Sequence, residues 1–159
     1  MKFSGREDIE VSADRMFAKL TDFSAHERAV IRRGAKVERT DTLDQPGQGM
    51  SWLAKVKFRG RQRKIEVVLT DLKQDEYIRY EIEGSGVSGV LELDLLALSP
   101  RKTRLAVALD LKPKNLSGRL LVQSLRIMKA NLNRRFKARF KEYAAGISSD
   151  QSGLPFEQT

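Results

Sequence analysis

At 159 residues, with 40% hydrophobic and 32% charged side chains, the chain has the length of one domain with a real core. The absence of cysteine excludes disulfides, thiolate metal sites and cysteine nucleophiles. The single histidine, His26, excludes a multi-histidine metal centre and argues against a Ser-His-Asp arrangement, so no metal, cofactor or catalytic set is expected. The net charge of +9 is uneven: basic and acidic residues number nine and nine over 1–50, eight and eight over 51–100, and thirteen and four over 101–159, so the whole excess lies in the last third.

The first residues alternate. Phe3, Gly5, Glu7, Ile9 and Val11 share one side and Lys2, Ser4, Arg6, Asp8 and Glu10 the other, the period of a half-buried strand. A charged alternating start is not a signal peptide, and no apolar run reaches the roughly 18 residues of a membrane span, so a cytoplasmic protein is expected. Ser12 offers a helix N-cap before Ala13, Met16, Phe17 and Leu20 at helical spacing. Ser24 and Glu27 read as a capping box for a second short helix that Gly34 is placed to end.

From Lys36 the period returns to two. Six strands are predicted over about 36–42, 50–58, 62–73, 76–83, 88–99 and 102–112, linked by Pro46-Gly47-Gln48-Gly49, Gly60, Gln74-Asp75, Gly84-Ser85-Gly86 and Pro100. Such short links make an antiparallel meander. After Pro113–Leu116 one long helix is predicted over 117–147, with Leu121, Leu125, Met128, Leu132, Phe136, Phe140 and Tyr143 on one face and Arg119, Arg126, Arg134, Lys137 and Lys141 on the other. The tail 148–159 is polar, with Gly153 and Pro155, and is expected to be disordered.

The run "KVKFRGRQRKIEVV" (Lys55–Val68) places Lys55, Lys57, Arg59, Arg61 and Arg63 at every second position. A hairpin turning on Gly60-Arg61 sets Val56 opposite Ile65, Ala54 opposite Val67, Trp52 opposite Leu69 and Lys55 opposite Glu66. A turn on Arg59-Gly60 sets Val56 opposite Arg63 and loses that match. No aromatic residue is interleaved on the basic face, as a single-strand nucleic-acid platform would want, so the stretch reads as a solvated hairpin tip.

One strand, two short helices, six antiparallel strands and a closing helix of roughly 45 Å make an α+β helix-grip fold: a curved sheet of about seven strands wrapped around the C-terminal helix. In this order, with "EDIEVSADRMFAKLTD" (Glu7–Asp22), "YIRYEIEGSGVSGVLELDLLAL" (Tyr77–Leu98) and "KTRLAVALDLKPKNLSGRLL" (Lys102–Leu121), the segment 1–147 resembles the START-like superfamily, which includes Bet v 1-type and polyketide-cyclase/dehydrase-like (SRPBCC) proteins. The resemblance implies an internal hydrophobic cavity and binding or transport of a lipid, sterol-like or polyketide-like molecule. It marks a fold, not an activity.

The inward strand positions that would line such a cavity include Trp52, Val56, Phe58, Val67, Leu69, Tyr80, Ile82, Leu91 and Leu93, joined by Leu121, Leu125 and Met128 from the helix. Polar groups at its edge are Glu7, Arg63, Lys129 and Arg139, each costly to bury unpaired. The turns near Pro46–Gly49 and Gly84–Gly89 are the expected gates. Two other readings stand beside a carrier. One is a cyclase or aromatase-type enzyme using the same cavity, with Tyr80, Glu7 or Arg139 moving protons. The other is an interaction module whose basic helix face (Arg119, Arg126, Arg134, Lys137 and Lys141) meets a polyanion or an anionic membrane surface. No nucleic-acid reader motif is present to favour nucleic acid over the membrane.

Overall fold

A computed structural model of the chain describes residues 1–58 and 60–157, with no side chain described from 148 on. The strands are β1 (Lys2–Ile9), β2 (Lys36–Arg39), β3 (Ser51–Phe58), β4 (Arg61–Lys73), β5 (Tyr77–Gly84), β6 (Val87–Ser99) and β7 (Lys102–Pro113). Helices α1 (Ala13–Leu20) and α2 (Phe23–Arg32) follow β1, and α3 (Leu116–Ile127) and α4 (Lys129–Glu157) close the chain. The seven strands form one antiparallel sheet in the order β1-β7-β6-β5-β4-β3-β2, which is a meander with β1 added at the β7 edge. The fold is the expected α+β helix grip.

Alternation carries the sheet. Phe3, Leu109, Leu91, Tyr80 and Leu69 lie opposite one another in one inward row, and Leu72, Ile78, Leu93 and Val107 in the next. Register shifts at Leu69/Asp71 and at Ala97/Ser99 interrupt the ladders. Such bulges bend a strand and increase its twist, which helps curve the sheet around the helices.

The β3–β4 hairpin corrects the expected register. It turns on residues 59–60, with Arg59 outside the described residues. Phe58 lies opposite Arg61, Val56 opposite Arg63, Ala54 opposite Ile65 and Trp52 opposite Val67. Gly60 takes φ +75°, so the glycine fills the second central position, where a positive φ is needed, rather than the first. Arg63 is accommodated because its guanidinium lies 5.7 Å from the centre of the Phe58 ring. The slip from the expected pairing is two residues, so every side chain keeps its face. What changes is the outer row: Lys55 faces Lys64, not Glu66, and Lys36 stands on its other side.

Two helix expectations are also revised. Asp22, not Ser24, caps α2, with its Oδ1 accepting from the Ala25 amide at 3.2 Å. The predicted single helix over 117–147 is two helices that break at Met128. Asn115 caps α3, its Oδ1 accepting from the Gly118 amide at 2.8 Å. The inward face survives the break: Leu121, Leu125, Met128, Leu132, Phe136 and Tyr143 are half-buried and Phe140 is buried. The helix runs on to Glu157, past Ile147, and the expectation of a disordered tail over 148–159 lies outside the residues whose side chains are described.

The packed core sits at one end of the concave face. Ile9, Val11, Met16, Phe17, Leu20, Phe23, Met50, Trp52, Leu69, Ile78, Leu95, Leu105, Phe140, Ala144 and Ile147 form one cluster. The Phe140 ring lies against Gly5, close enough that a Cβ there would sit 3.2 Å from it. Thr103, fully buried, donates its hydroxyl to the Val11 carbonyl at 2.8 Å, tying β7 to the start of α1.

Candidate functional site

Beyond that core the concave face changes character. Val56, Phe58, Ile65, Val67, Ile82, Leu91, Leu93, Leu109 and Leu111 point inward from β3 to β7, yet each is only half-buried. Leu121, Leu125 and Met128, on the expected inward face of the helices, are half-buried as well. Among the described residues, α3 lies nearest β6 and β7 and α4 nearest β1 and α1, while Phe140, Ala144 and Ile147 of α4 join Trp52, Leu69 and Ile78 in the core. The half-buried inward side chains beyond the core make an apolar strip on the concave face that is less closed than the other end.

The two ends meet at an aromatic cluster. Trp52 lies 5.7 Å from the Phe23 ring and 6.2 Å from the Tyr80 ring, centre to centre. Its indole Nε1 donates to Glu27 Oε1 at 3.1 Å, and the Arg39 guanidinium stands 5.9 Å from its ring. Tyr80 is half-buried beside this cluster and packs against the core. Burial alone pushes its phenol up to about 12. It therefore holds its proton at neutral pH and can donate a hydrogen bond in an otherwise apolar setting.

The expected lining residues separate into three groups. Val56, Phe58, Ile82, Leu91, Leu121, Leu125 and Met128 are half-buried, as are Val67, Tyr80 and Leu93, which pack against the core cluster. Trp52 and Leu69 belong to the solid core, at 7% and 0% exposure, so they support the strip without lining it. Lys129 and Arg139 are exposed: each sits at the edge of the apolar helix face and keeps its charge in water. Glu7 and Arg63 are half-buried on the inward parity. Sequence reasoning missed Glu27 and Arg39, which reach the cluster from α2 and β2. The signal was the lone tryptophan, whose buried N–H needs an acceptor.

Hydrogen bonds anchor the chain beside both expected gates. Asp41 accepts from Arg39 Nε and Nη2 at 2.7 and 2.6 Å and from the Leu43 and Ser51 amides at 3.0 and 2.8 Å, holding the link between β2 and β3. These bonds, the Arg39 pair first, hold its carboxyl well below the usual range. In the β5–β6 turn, the Gly86 carbonyl accepts from the Lys114 amide at 2.7 Å, and the start of α3 lies so close that a Cβ on Gly118 would overlap it.

His26 is a structural residue: its Nε2 lies 3.0 Å from the Leu20 carbonyl and its ring 6.0 Å from that of Tyr143. Glu81, Glu83 and Glu92 face outward, and Tyr77 donates to Glu92 Oε2 at 2.5 Å. Burial, then this bond, pushes the Tyr77 phenol up to about 12. A depression of about 470 Å³ on the outer face is lined by Glu66, Glu81, Glu83, Asp110 and Lys112 among others. No group of three or more metal-binding side chains occurs among the described residues, and no described helix is long and apolar enough to cross a membrane.

No family model matches the sequence, and no curated protein matches it significantly. Solved structures do resemble it. A START superfamily protein from Mycobacterium smegmatis superposes with a TM-score of 0.56 at 15% identity, covering 84% of this chain and 95% of that one. The Zhui aromatase/cyclase from Streptomyces sp. R1128 gives 0.56 at 20% identity, covering 72% and 69%. Norcoclaurine synthase from Thalictrum flavum gives 0.64 at 11% identity, covering 94% and 84%. At these identities the likeness is one of architecture: the chain has the START-like helix-grip fold.

Proposed function

We propose that the protein binds a hydrophobic or amphipathic small molecule on the concave face, between β3–β6 and the α3–α4 junction. One observation carries the reading: inward apolar side chains of β3–β7, and Leu121, Leu125 and Met128 of the helices, remain half-buried rather than sealed. Leaving so many inward side chains half-wet forgoes about 25 cal/mol for each Å² that closure would bury. A ligand that fills the strip recovers that burial. Tyr80 orients the molecule by donating to a polar group on it, and the Trp52–Glu27–Arg39 cluster fixes the end of the site. The START-like fold of the neighbours supports this reading.

Tyr80 also favours a second reading, an enzyme of the cyclase or aromatase type. With its phenol pushed up to about 12, Tyr80 would act by hydrogen-bonding a substrate oxygen rather than by giving up or taking a proton. Arg139, being exposed, is not a partner for it, whereas Glu7 on the inward side of β1 is half-buried.

The experiment is native mass spectrometry of freshly purified protein, with organic extraction and identification of what it carries. The expected result is a defined apolar or amphipathic molecule at one per chain, lost in Leu91→Trp, which plugs the strip. A clean unliganded mass, with no uptake from a lipid or polyketide mixture, would contradict the proposal. Turnover of the extracted molecule, abolished in Tyr80→Phe, would move the assignment to the enzyme.

A further inference from the structure

The face of α3 that points away from the sheet carries a second apolar stripe, distinct from the inward one. Leu116, Leu120 and Ile127 are 73%, 58% and 87% exposed. At about 100° per residue they fall within roughly 40° of one another around the helix. Val122 and Gly118 are buried on the opposite side, against the body of the protein. Arg119 and Arg126, both exposed, border the stripe along one side, with Lys129 just beyond the helix end. No carboxylate occurs between Asp110 and Glu142, so no acid on α3 or on the first turns of α4 neutralises these cations.

We propose that this face of α3 docks on an anionic lipid bilayer, with Leu116, Leu120 and Ile127 in the acyl boundary and Arg119 and Arg126 at the headgroups. Exposed apolar side chains in a row, bordered by arginines whose stems let the guanidinium rise to the phosphate layer, are what an interfacial helix needs. The charge supports a bilayer over the other occupants. A second copy would bring the same uncompensated cations against themselves. A nucleic acid would use the arginines and leave the three apolar side chains in water. The basic stripe expected from the sequence thus becomes a two-part surface: the cations attract, and a ridge that the inward-face pattern did not reveal inserts. The broken helix matters here, since α3 alone carries the ridge while α4 holds the β1 side of the sheet. The inner face of α3 carries Leu121 and Leu125 of the apolar strip, so docking sets that strip beside the membrane. The docking surface itself does not depend on what the strip binds.

The test is flotation of the full chain with unilamellar vesicles of phosphatidylcholine and phosphatidylglycerol at three to one, in low and moderate salt. The expected result is binding that falls about tenfold or more on pure phosphatidylcholine, since the anionic attraction is lost. Leu116→Ser/Leu120→Ser/Ile127→Ser and Arg119→Gln/Arg126→Gln should each lose about as much. All five side chains are exposed, so circular dichroism of the variants should match the parent. Ile127→Trp supplies a second readout: its emission should shift to the blue with anionic vesicles and stay unchanged without them. Absence of flotation on the anionic vesicles, or undiminished flotation of the triple serine variant, would overturn the proposal. So would tighter binding to RNA that the serine substitutions leave intact, or self-association that they abolish.

Discussion

The two ends of the concave face are built from the same strands and the same side-chain types, yet they do different things. At the α1–α2 end, Leu69, Ile78 and Leu105 are fully excluded from water, sealed by Met16, Phe17, Leu20 and Phe140. At the other end Ile82, Leu91 and Leu109, on the same inward parity, remain half-exposed, although α3 packs on β6 and β7. One end has the features of a core and the other those of a surface awaiting an occupant. Parity decides which way a side chain points, and helix placement decides whether anything meets it.

The largest expected effect separates the two ends by stability. Leu69→Ala and Leu105→Ala should each cost about 2–5 kcal/mol, as truncation of a sealed leucine does. Leu91→Ala should cost about half as much or less, since part of its surface is already in water. Urea denaturation of the three variants measures this, and equal costs would erase the distinction. Gly118→Ala comes next. A Cβ there overlaps the Gly86 carbonyl, so α3 must move off the β5–β6 turn, at about 1–3 kcal/mol. The loss should appear as faster amide exchange at Lys114, whose N–H bonds to Gly86.

Smaller effects sharpen the open end. Tyr80→Phe should leave the denaturation midpoint nearly unchanged and weaken retention of the bound molecule by up to about tenfold, the range of one neutral hydrogen bond. The pH dependence of stability has two limbs. Tyr77 and Tyr80 ionise at about 12 in the folded chain against about 10 when unfolded, so the stability they confer is present below pH 10 and is lost as pH rises from 10 toward 12. Asp8, paired with Arg104, and Asp41, paired with Arg39, have depressed folded values. Their contribution is present above the ordinary carboxylate range near 4 and fades as pH falls below it. Asp41→Asn should remove part of the acid limb and raise amide exchange at Ser51, whose N–H it accepts.

Much of the fold was legible because alternation of apolar and polar residues is a local signal. All seven strands lie within a few residues of their expected positions, and the apolar helix face from Leu121 to Tyr143 is the one turned inward. The hairpin shows where such reasoning stops. A two-residue slip keeps every face, so periodicity could not choose between the registers, and the choice fell to Gly60 and to the stacking of Arg63 on Phe58. The break at Met128 left no trace in the pattern either, because one non-helical residue at φ −94° and ψ 9° preserves the phase of the apolar face. At the site, composition could name Leu69 and Leu91 as inward but could not tell that one is sealed and the other open. That difference depends on where a distant helix lies.

The most direct test of the open end is methyl NMR of the protein titrated with an amphipathic fluorophore, 1-anilinonaphthalene-8-sulfonate. Saturable one-to-one binding is expected, with shifts concentrated at Val67, Ile82, Leu91, Leu121 and Leu125, little change at Leu69 and Leu105, and loss of binding in Leu91→Trp. Shifts scattered over the outer face, or binding that Leu91→Trp leaves intact, would contradict it.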